Sequence, residues 1–207
     1  MTFTDELKTL TDDAHSAAEQ ASFVGKLLAG TESTEAYTRM IGQYLPLYDA
    51  LECAVRQVHD EPPLSAFYDE RLARTSAIRH DLTRLEGPTQ HAELRSTTEY
   101  VERLGALAAQ QDATRILAHH YLRYLGDLSG GQVIGRLVQR HYGVRDEALT
   151  MWDFTAIGKT KPYKDAYRAK LDTEISADQQ VVFIDECLQG YRLARDLFEN
   201  LATAPAH

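Results

Sequence analysis

Cysteine is scarce: Cys53 and Cys187 are the only two in 207 residues. Two cysteines cannot build a disulfide framework or a cysteine-rich zinc site, and they suit a reducing compartment. Neither has an adjacent histidine or basic residue to lower its pKa, which argues against a nucleophilic thiol. Long apolar runs are also missing. No stretch reaches the ~18 residues that a spanning helix needs. The N-terminus, Met1-Thr-Phe-Thr-Asp-Glu-Leu-Lys8, has no basic region followed by an apolar one, so no signal peptide, no membrane anchor and a cytoplasmic location are expected. Basic charge is in deficit, 22 residues against 31 acidic ones for a net charge of −9, and a general nucleic-acid binder is excluded. Runs of β-branched residues, Asn-Gly hairpin signals, internal repeats and low-complexity tracts are absent. So are Glu-x-x-His, His-Glu-x-x-His, Cys-x-x-Cys, an EF-hand loop, GxGxxG and a P-loop.

What remains is a globular composition, 43% apolar and 26% charged, long enough for one complete core. The expectation is an all-α fold of seven or eight helices in a single domain over residues 1–207. Leu7, Leu10, Ala14, Ala17, Ala18 and Ala21 form one apolar stripe, predicting a helix from Asp5 to Leu28 with Gly30 as its stop. A second helix starts after Ser33 and runs through Val55, kinked at Pro46, and Pro62-Pro63 ends that region. Further helices are predicted over Ser65–Leu85, over His91–Gln110 after the Gly87-Pro88 break, and over Ala113–His141 ending at Gly143. A turn-rich segment holds Trp152 and Phe154. Pro162 then opens a basic helix to Leu171, and Ser176-Ala-Asp-Gln179 is a capping box for a last helix ending near Leu201.

Charge is uneven. Residues 1–60 hold ten acidic and four basic side chains, whereas Lys159, Lys161, Lys164, Arg168 and Lys170 are opposed only by Asp165. Most such runs are solvated helix faces, although some face an anionic ligand or an acidic partner.

The segment Tyr121–Gly135 resists a plain helical reading. Gly126, Gly130, Gly131 and Gly135 lie within ten residues of an otherwise helical pattern. Each glycine costs about 1 kcal/mol of helix propensity relative to alanine, so the run must be offset by something. Close helix–helix contact and bare backbone laid against a ligand are equally good candidates. Asp127 and Ser129 are polar residues in a half-buried position, and a buried carboxylate needs partners. On spacing alone, Asp127 pairs with Arg123 four residues earlier as a helix-surface salt bridge. His15 in the first helix flanks the apolar stripe, with Lys8 and Glu19 near it in angle. A histidine there is usually structural, but a neutral imidazole oriented by a carboxylate at i+4 is also a good iron ligand. His119 and His120 are adjacent, diverge on a helix, and read as structural.

The segment His119-His-Tyr-Leu-Arg-Tyr-Leu-Gly-Asp-Leu-Ser-Gly-Gly-Gln132 resembles the distal-helix signature of heme oxygenase. Leu7–Glu19 is similar to that family's proximal helix, and Gln139–Gly143 and Tyr163–Arg168 resemble it too. The likeness covers nearly the whole chain and is nearest to soluble actinobacterial heme-degrading enzymes. The resemblance implies that heme, lying between the first helix and the kinked Gly-rich distal helix, is both substrate and prosthetic group. Dioxygen is the co-substrate, and biliverdin, carbon monoxide and ferrous iron are the products. Electrons come from a separate ferredoxin- or flavoprotein-type redox protein. It further implies His15 as iron ligand with Glu19 accepting its second ring N–H. Gly126 and Gly130 would lie over the heme, with Asp127 holding distal water beside Tyr48 and Arg123. Lys8, Tyr121, Lys164 and Arg168 would bind the propionates, with Ser129 beside the heme, and Lys164 and Arg168 favour attack at the α position. Toward the C-terminus, Tyr191 and Ala194 stand where the family usually has Phe and Asn, which leaves that part of the pocket lining open. The alternative is a heme carrier on the same fold; such a protein needs no Asp127.

Overall fold

The computed structural model describes residues 1–85 and 92–203. Among them the chain forms nine α-helices and no strand: α1 (Phe3–Glu19), α2 (Ser22–Ala29), α3 (Thr34–Gln57), α4 (Thr75–Arg84), α5 (Arg95–Ala109), α6 (Ala113–Gly126), α7 (Gln132–Tyr142), α8 (Thr160–Glu174) and α9 (Ala177–Thr203). The expected fold class is thus the observed one. The Gly87-Pro88 break, the start of the helix expected at His91 and the tail after Thr203 lie outside the described residues.

Local chemistry sets most helix ends. Thr2 and Asp5 form a reciprocal capping box at the start of α1. Ser33 caps α3 through the Ala36 N–H, and α3 continues through Pro46. Gly30 and Gly143 close α2 and α7 at φ 75° and 67°, the left-handed conformation that glycine adopts without strain. The predicted box before α9 is present: Gln179 Oε1 accepts from the Ser176 N–H at 3.0 Å, and Ser176 Oγ from the Gln179 N–H at 3.4 Å.

Three predicted helices are interrupted or shortened, and each for a physical reason. The helix expected from Asp5 to Leu28 breaks at Gln20-Ala21, where ψ of Ala21 swings to 133°. At about 100° per residue, Phe23 and Leu27 fall on the far side of a continuous helix from Leu7 and Ala18. The break turns both into the core, where each is 1% exposed. The stretch expected to be helical from Ser65 opens instead as two 3₁₀ turns, Leu64–Ala66 and Glu70–Leu72. Glu52 of α3 accepts from the N–H groups of Arg74 and Thr75, at 2.6 and 2.9 Å, and α4 begins where that buried carboxylate meets the chain. The long helix expected over Ala113–His141 is divided by a π-helical turn, Asp127–Gly131, between α6 and α7. Such turns are rare and concentrate at functional sites. Pro162 lies in the first turn of α8, two residues after its start at Thr160.

One apolar core runs through these helices, with Leu7, Ile41, Leu47, Leu51, Leu117 and Phe183 fully buried. α9 packs against α1, α2, α5 and α6, and α3 against α4, α5 and α6. Between the α1–α2 pair, the α6–π–α7 segment and α9 the packing leaves a cavity. Among the described residues no helix is long and apolar enough to cross a membrane.

Candidate functional site

The cavity has a volume of about 590 Å³, within the range of small-molecule sites. Its walls are mostly apolar, with Val24, Leu28, Met40, Ile134 and Phe198 among them. Its His, Glu, Asp and Arg side chains are His15 and Glu19 on α1 and Arg123 and Asp127 on the broken helix, joined by the phenols of Tyr44, Tyr100 and Tyr191.

His15 stands with Nε2 3.3 Å from Oε1 of Glu19, one turn on. Its ring meets that of Tyr191 edge to face, with centroids 5.5 Å apart. The Glu19 carboxylate beside one ring nitrogen and the Tyr191 ring against the imidazole favour one orientation, which leaves the second nitrogen for a ligand. Among the described residues no cluster of three or more His, Cys, Asp or Glu is placed to hold a metal.

Asp127 and Arg123 are both buried, at 6% and 9% exposure, so they do not form the surface salt bridge that spacing alone suggests. They meet instead through Tyr48. The Tyr48 hydroxyl donates to Asp127 Oδ2 at 2.5 Å, and Arg123 donates to the same hydroxyl oxygen from Nε at 3.2 Å and Nη2 at 3.0 Å. The guanidinium lies over the Tyr44 ring, 4.6 Å from its centroid. Burial pushes the Asp127 carboxyl up to about 6, against the opposing pull of Arg123 and of the Tyr48 hydrogen bond. An acid of that strength holds or releases a proton near neutrality.

The four glycines divide between the two roles that sequence left open. A Cβ added at Gly126 or Gly130 meets nothing within 4 Å, and both residues line the cavity. A Cβ at Gly131 would stand 2.5 Å from Cε3 of Trp152, and one at Gly135 3.2 Å from Cδ1. The first pair exposes backbone to the cavity; the second serves close packing.

Other predicted residues lie at the rim or beyond it. Lys164 of α8 donates to Ser129 Oγ at 3.0 Å, so these two meet although 35 positions separate them. Arg168 is half-buried and stands 3.7 Å from Asp165. Tyr121 is wedged between the rings of Tyr167 and Phe183 and does not line the cavity; burial pushes its phenol up to about 12. Lys8 is exposed on α1, also outside the lining. His119 and His120 are structural: His119 bonds Tyr100 at 3.0 Å and Glu186 at 2.8 Å, and His120 bonds Tyr167 at 2.9 Å.

The sequence profile of the heme oxygenase family matches residues 1–200. A heme oxygenase of Porphyra purpurea is 34% identical over 202 residues, covering 95% of this chain and 85% of its own. The crystal structure of heme oxygenase-1 from the cyanobacterium Synechocystis in complex with heme superposes with a TM-score of 0.90 at 27% identity, covering 97% of this chain and 92% of that one. That of the heme oxygenase from Leptospira interrogans gives 0.89 at 25% identity, covering 96% and 99%. The chain belongs to the heme oxygenase family. As a member it is a heme-degrading oxygenase.

Within this heme oxygenase, Tyr191 and Ala194 both line the cavity, and Tyr191 packs on His15. Tyr191 therefore stands beside the histidine. Among the lining residues that sequence did not mark as functional are Tyr44, Tyr100 and Trp152. Tyr44 lies four residues before Tyr48 on the same helix face. Tyr100 and Trp152 reach the cavity through tertiary packing, and nothing local marks them.

Proposed function

We propose that this chain cleaves heme with dioxygen to biliverdin, carbon monoxide and ferrous iron, using electrons from a separate ferredoxin- or flavoprotein-type partner. The observation that carries this reading is the pairing of open backbone at Gly126 and Gly130 with His15 and Asp127 in one apolar cavity. The residues fit the group: a mostly apolar space, an imidazole beside a carboxylate, glycine backbone open to the cavity, and Lys164 tied to Ser129, the chain neighbour of Gly130. His15 would hold the iron through the ring nitrogen turned away from Glu19. Heme, when bound, supplies both the iron at which dioxygen is reduced and the ring that is oxidised.

The rest falls to the chain. Gly126 and Gly130 leave room for a diatomic molecule and crowd larger ones. Asp127, tied to Tyr48 and Arg123, orders water beside those glycines and passes a proton from its carboxyl oxygen. Glu19 keeps the imidazole in one orientation. Lys164, with Ser129 beside it, and Arg168 would take the acidic edge of the ligand, and this basic pair on α8 favours attack at the α position; Lys8 and Tyr121, outside the cavity lining, are left without that role. Release of iron in the cytoplasm is the purpose this chemistry serves, with residues 1–207 acting as one domain.

The test is to mix the protein with hemin and a reductant in air and follow the Soret band. Its loss with the rise of a biliverdin spectrum is expected. A heme spectrum that survives repeated reduction in air overturns the reading.

A further inference from the structure

Trp152 is the only tryptophan in the chain, and it is buried behind the glycine-rich turn. Its indole fills the hollow left by Gly131 and Gly135, which lie one turn apart. No side chain at Gly131 fits there unless the helix moves off the ring, because a Cβ would stand 2.5 Å from Cε3 and 2.8 Å from Cζ3. The ring is held in turn. Nε1 donates to the Tyr37 hydroxyl at 2.9 Å. The preceding residues are anchored by Asp81 of α4, whose carboxylate accepts from the Thr150 N–H (2.9 Å), the Thr150 hydroxyl (2.6 Å) and the Met151 N–H (2.8 Å). On the other side Arg74, itself buried, donates to the Asp153 carbonyl at 2.5 Å. Trp152 also borders a second cavity of about 410 Å³, so the indole is a partition with open space on two sides.

These anchors, on the ring and on the backbone either side of it, hold the indole against the π-helical turn that carries Gly130 and Gly131 and against Gly135 in the first turn of α7. A π turn is a local departure from the regular hydrogen-bond ladder, and its position has to be set by what packs on it. Close-packed interiors transmit displacement instead of absorbing it, so a change at the Gly131–Trp152 contact reaches Gly130, its chain neighbour.

We propose that Trp152 is a positioning residue that selects ligands by size. It is the stop against which Gly131 and Gly135 rest, and it thereby sets how far the Gly126–Gly130 backbone projects into the cavity. This inference rests on the heme reading above. A smaller residue at position 152 lets the turn recede and admits larger ligands on the distal side. A methyl at position 131 pushes the turn off the indole toward the cavity and excludes them.

The test uses the full chain loaded with ferric heme, titrated with azide as the small probe and imidazole as the large one. Loading is followed first by quenching of Trp152 emission in the wild type and by the Soret band in all forms. A wild-type chain that binds no heme overturns the parent reading, whereas heme binding followed by unaltered ligand preference overturns this one alone. In Trp152→Leu, imidazole affinity relative to azide should rise about tenfold, and in Gly131→Ala it should fall by a similar factor. If Trp152→Leu does not fold, Trp152→Phe serves as the smaller stop with the same expected direction. A merely structural role for Trp152 lowers stability and leaves the ratio of the two affinities alone. Ratios unchanged from wild type in both substitutions, or shifted in the same direction, overturn the proposal.

Discussion

The phenol of Tyr48 donates to Asp127 across 2.5 Å while Arg123 donates to the same oxygen, so one hydroxyl joins a carboxyl and a guanidinium that share no direct hydrogen bond. The bond orients the carboxylate but does not make it a strong acid. Burial outweighs both helpers and lifts Asp127 from the ordinary 3.8 to about 6. The folded chain thus retains a proton that the unfolded chain releases earlier as pH rises. Stability from this group is fully present below about pH 4 and is lost as pH climbs through about 6, by at most about 3 kcal/mol. Asp127→Asn should remove that part of the pH dependence, as read by urea unfolding at a series of pH values. The same variant should bind heme nearly as tightly as wild type yet give little biliverdin, consuming oxygen unproductively. Full biliverdin yield would refute the role given to Asp127.

His15→Ala should abolish turnover and leave part of the heme binding, because the apolar walls and the rim cations are untouched. Added imidazole should restore activity by entering the space vacated at position 15. The measurement is biliverdin formation with and without imidazole on one preparation, and wild-type turnover in the unsupplemented variant would remove His15 from the site.

How far the sequence foretold this site depends on the range of each interaction. His15 and Glu19 were legible because a carboxylate one helical turn from a histidine is a local pattern. Gly126 and Gly130 were legible because a glycine run inside a helix carries a propensity cost that needs an offset. The Asp127–Tyr48 bond was not readable from spacing, since 79 positions separate the two, and local spacing favoured Arg123 at the surface. Trp152 was invisible as a site residue for the same reason: its partner Tyr37 lies 115 positions away. The break at Gln20-Ala21 was readable in principle, because Phe23 and Leu27 are out of phase with the stripe that precedes them. It was missed because the alanines at 17, 18 and 21 fit a continuous helix equally well.

Lys164→Ala combined with Arg168→Ala should weaken heme binding modestly or change the biliverdin isomer. Lys164 already spends one donor on Ser129 Oγ, and Arg168 is shared with Asp165, so neither is a lone cation. Charge-assisted hydrogen bonds contribute about 1.5–3 kcal/mol when well formed and less at a half-exposed rim, so a loss of about tenfold in affinity is expected. Heme titration and chromatography of the product check both. Unchanged affinity together with an unchanged isomer would assign this basic face to a different partner.

Gly126→Ala separates the needs of the fold from those of the reaction. Gly126 has φ −61° and ψ −50°, an ordinary helical conformation open to any residue. A Cβ there meets nothing within 4 Å. The fold therefore gives no reason for glycine, and alanine should stabilise the ligand-free protein by up to about 1 kcal/mol through helix propensity and a less flexible unfolded chain. The added methyl projects into the cavity, so turnover should fall while stability rises. Gly190→Ala is the matched control on α9: its Cβ would run into Leu122 and stand 3.3 Å from His119 Nδ1, so it should destabilise through overpacking by about 1–3 kcal/mol. Thermal unfolding of both ligand-free variants, with biliverdin yield on the same samples, decides the matter. A Gly126→Ala protein that is less stable than wild type, or fully active, would show that the open space over this glycine is not reserved for the ligand.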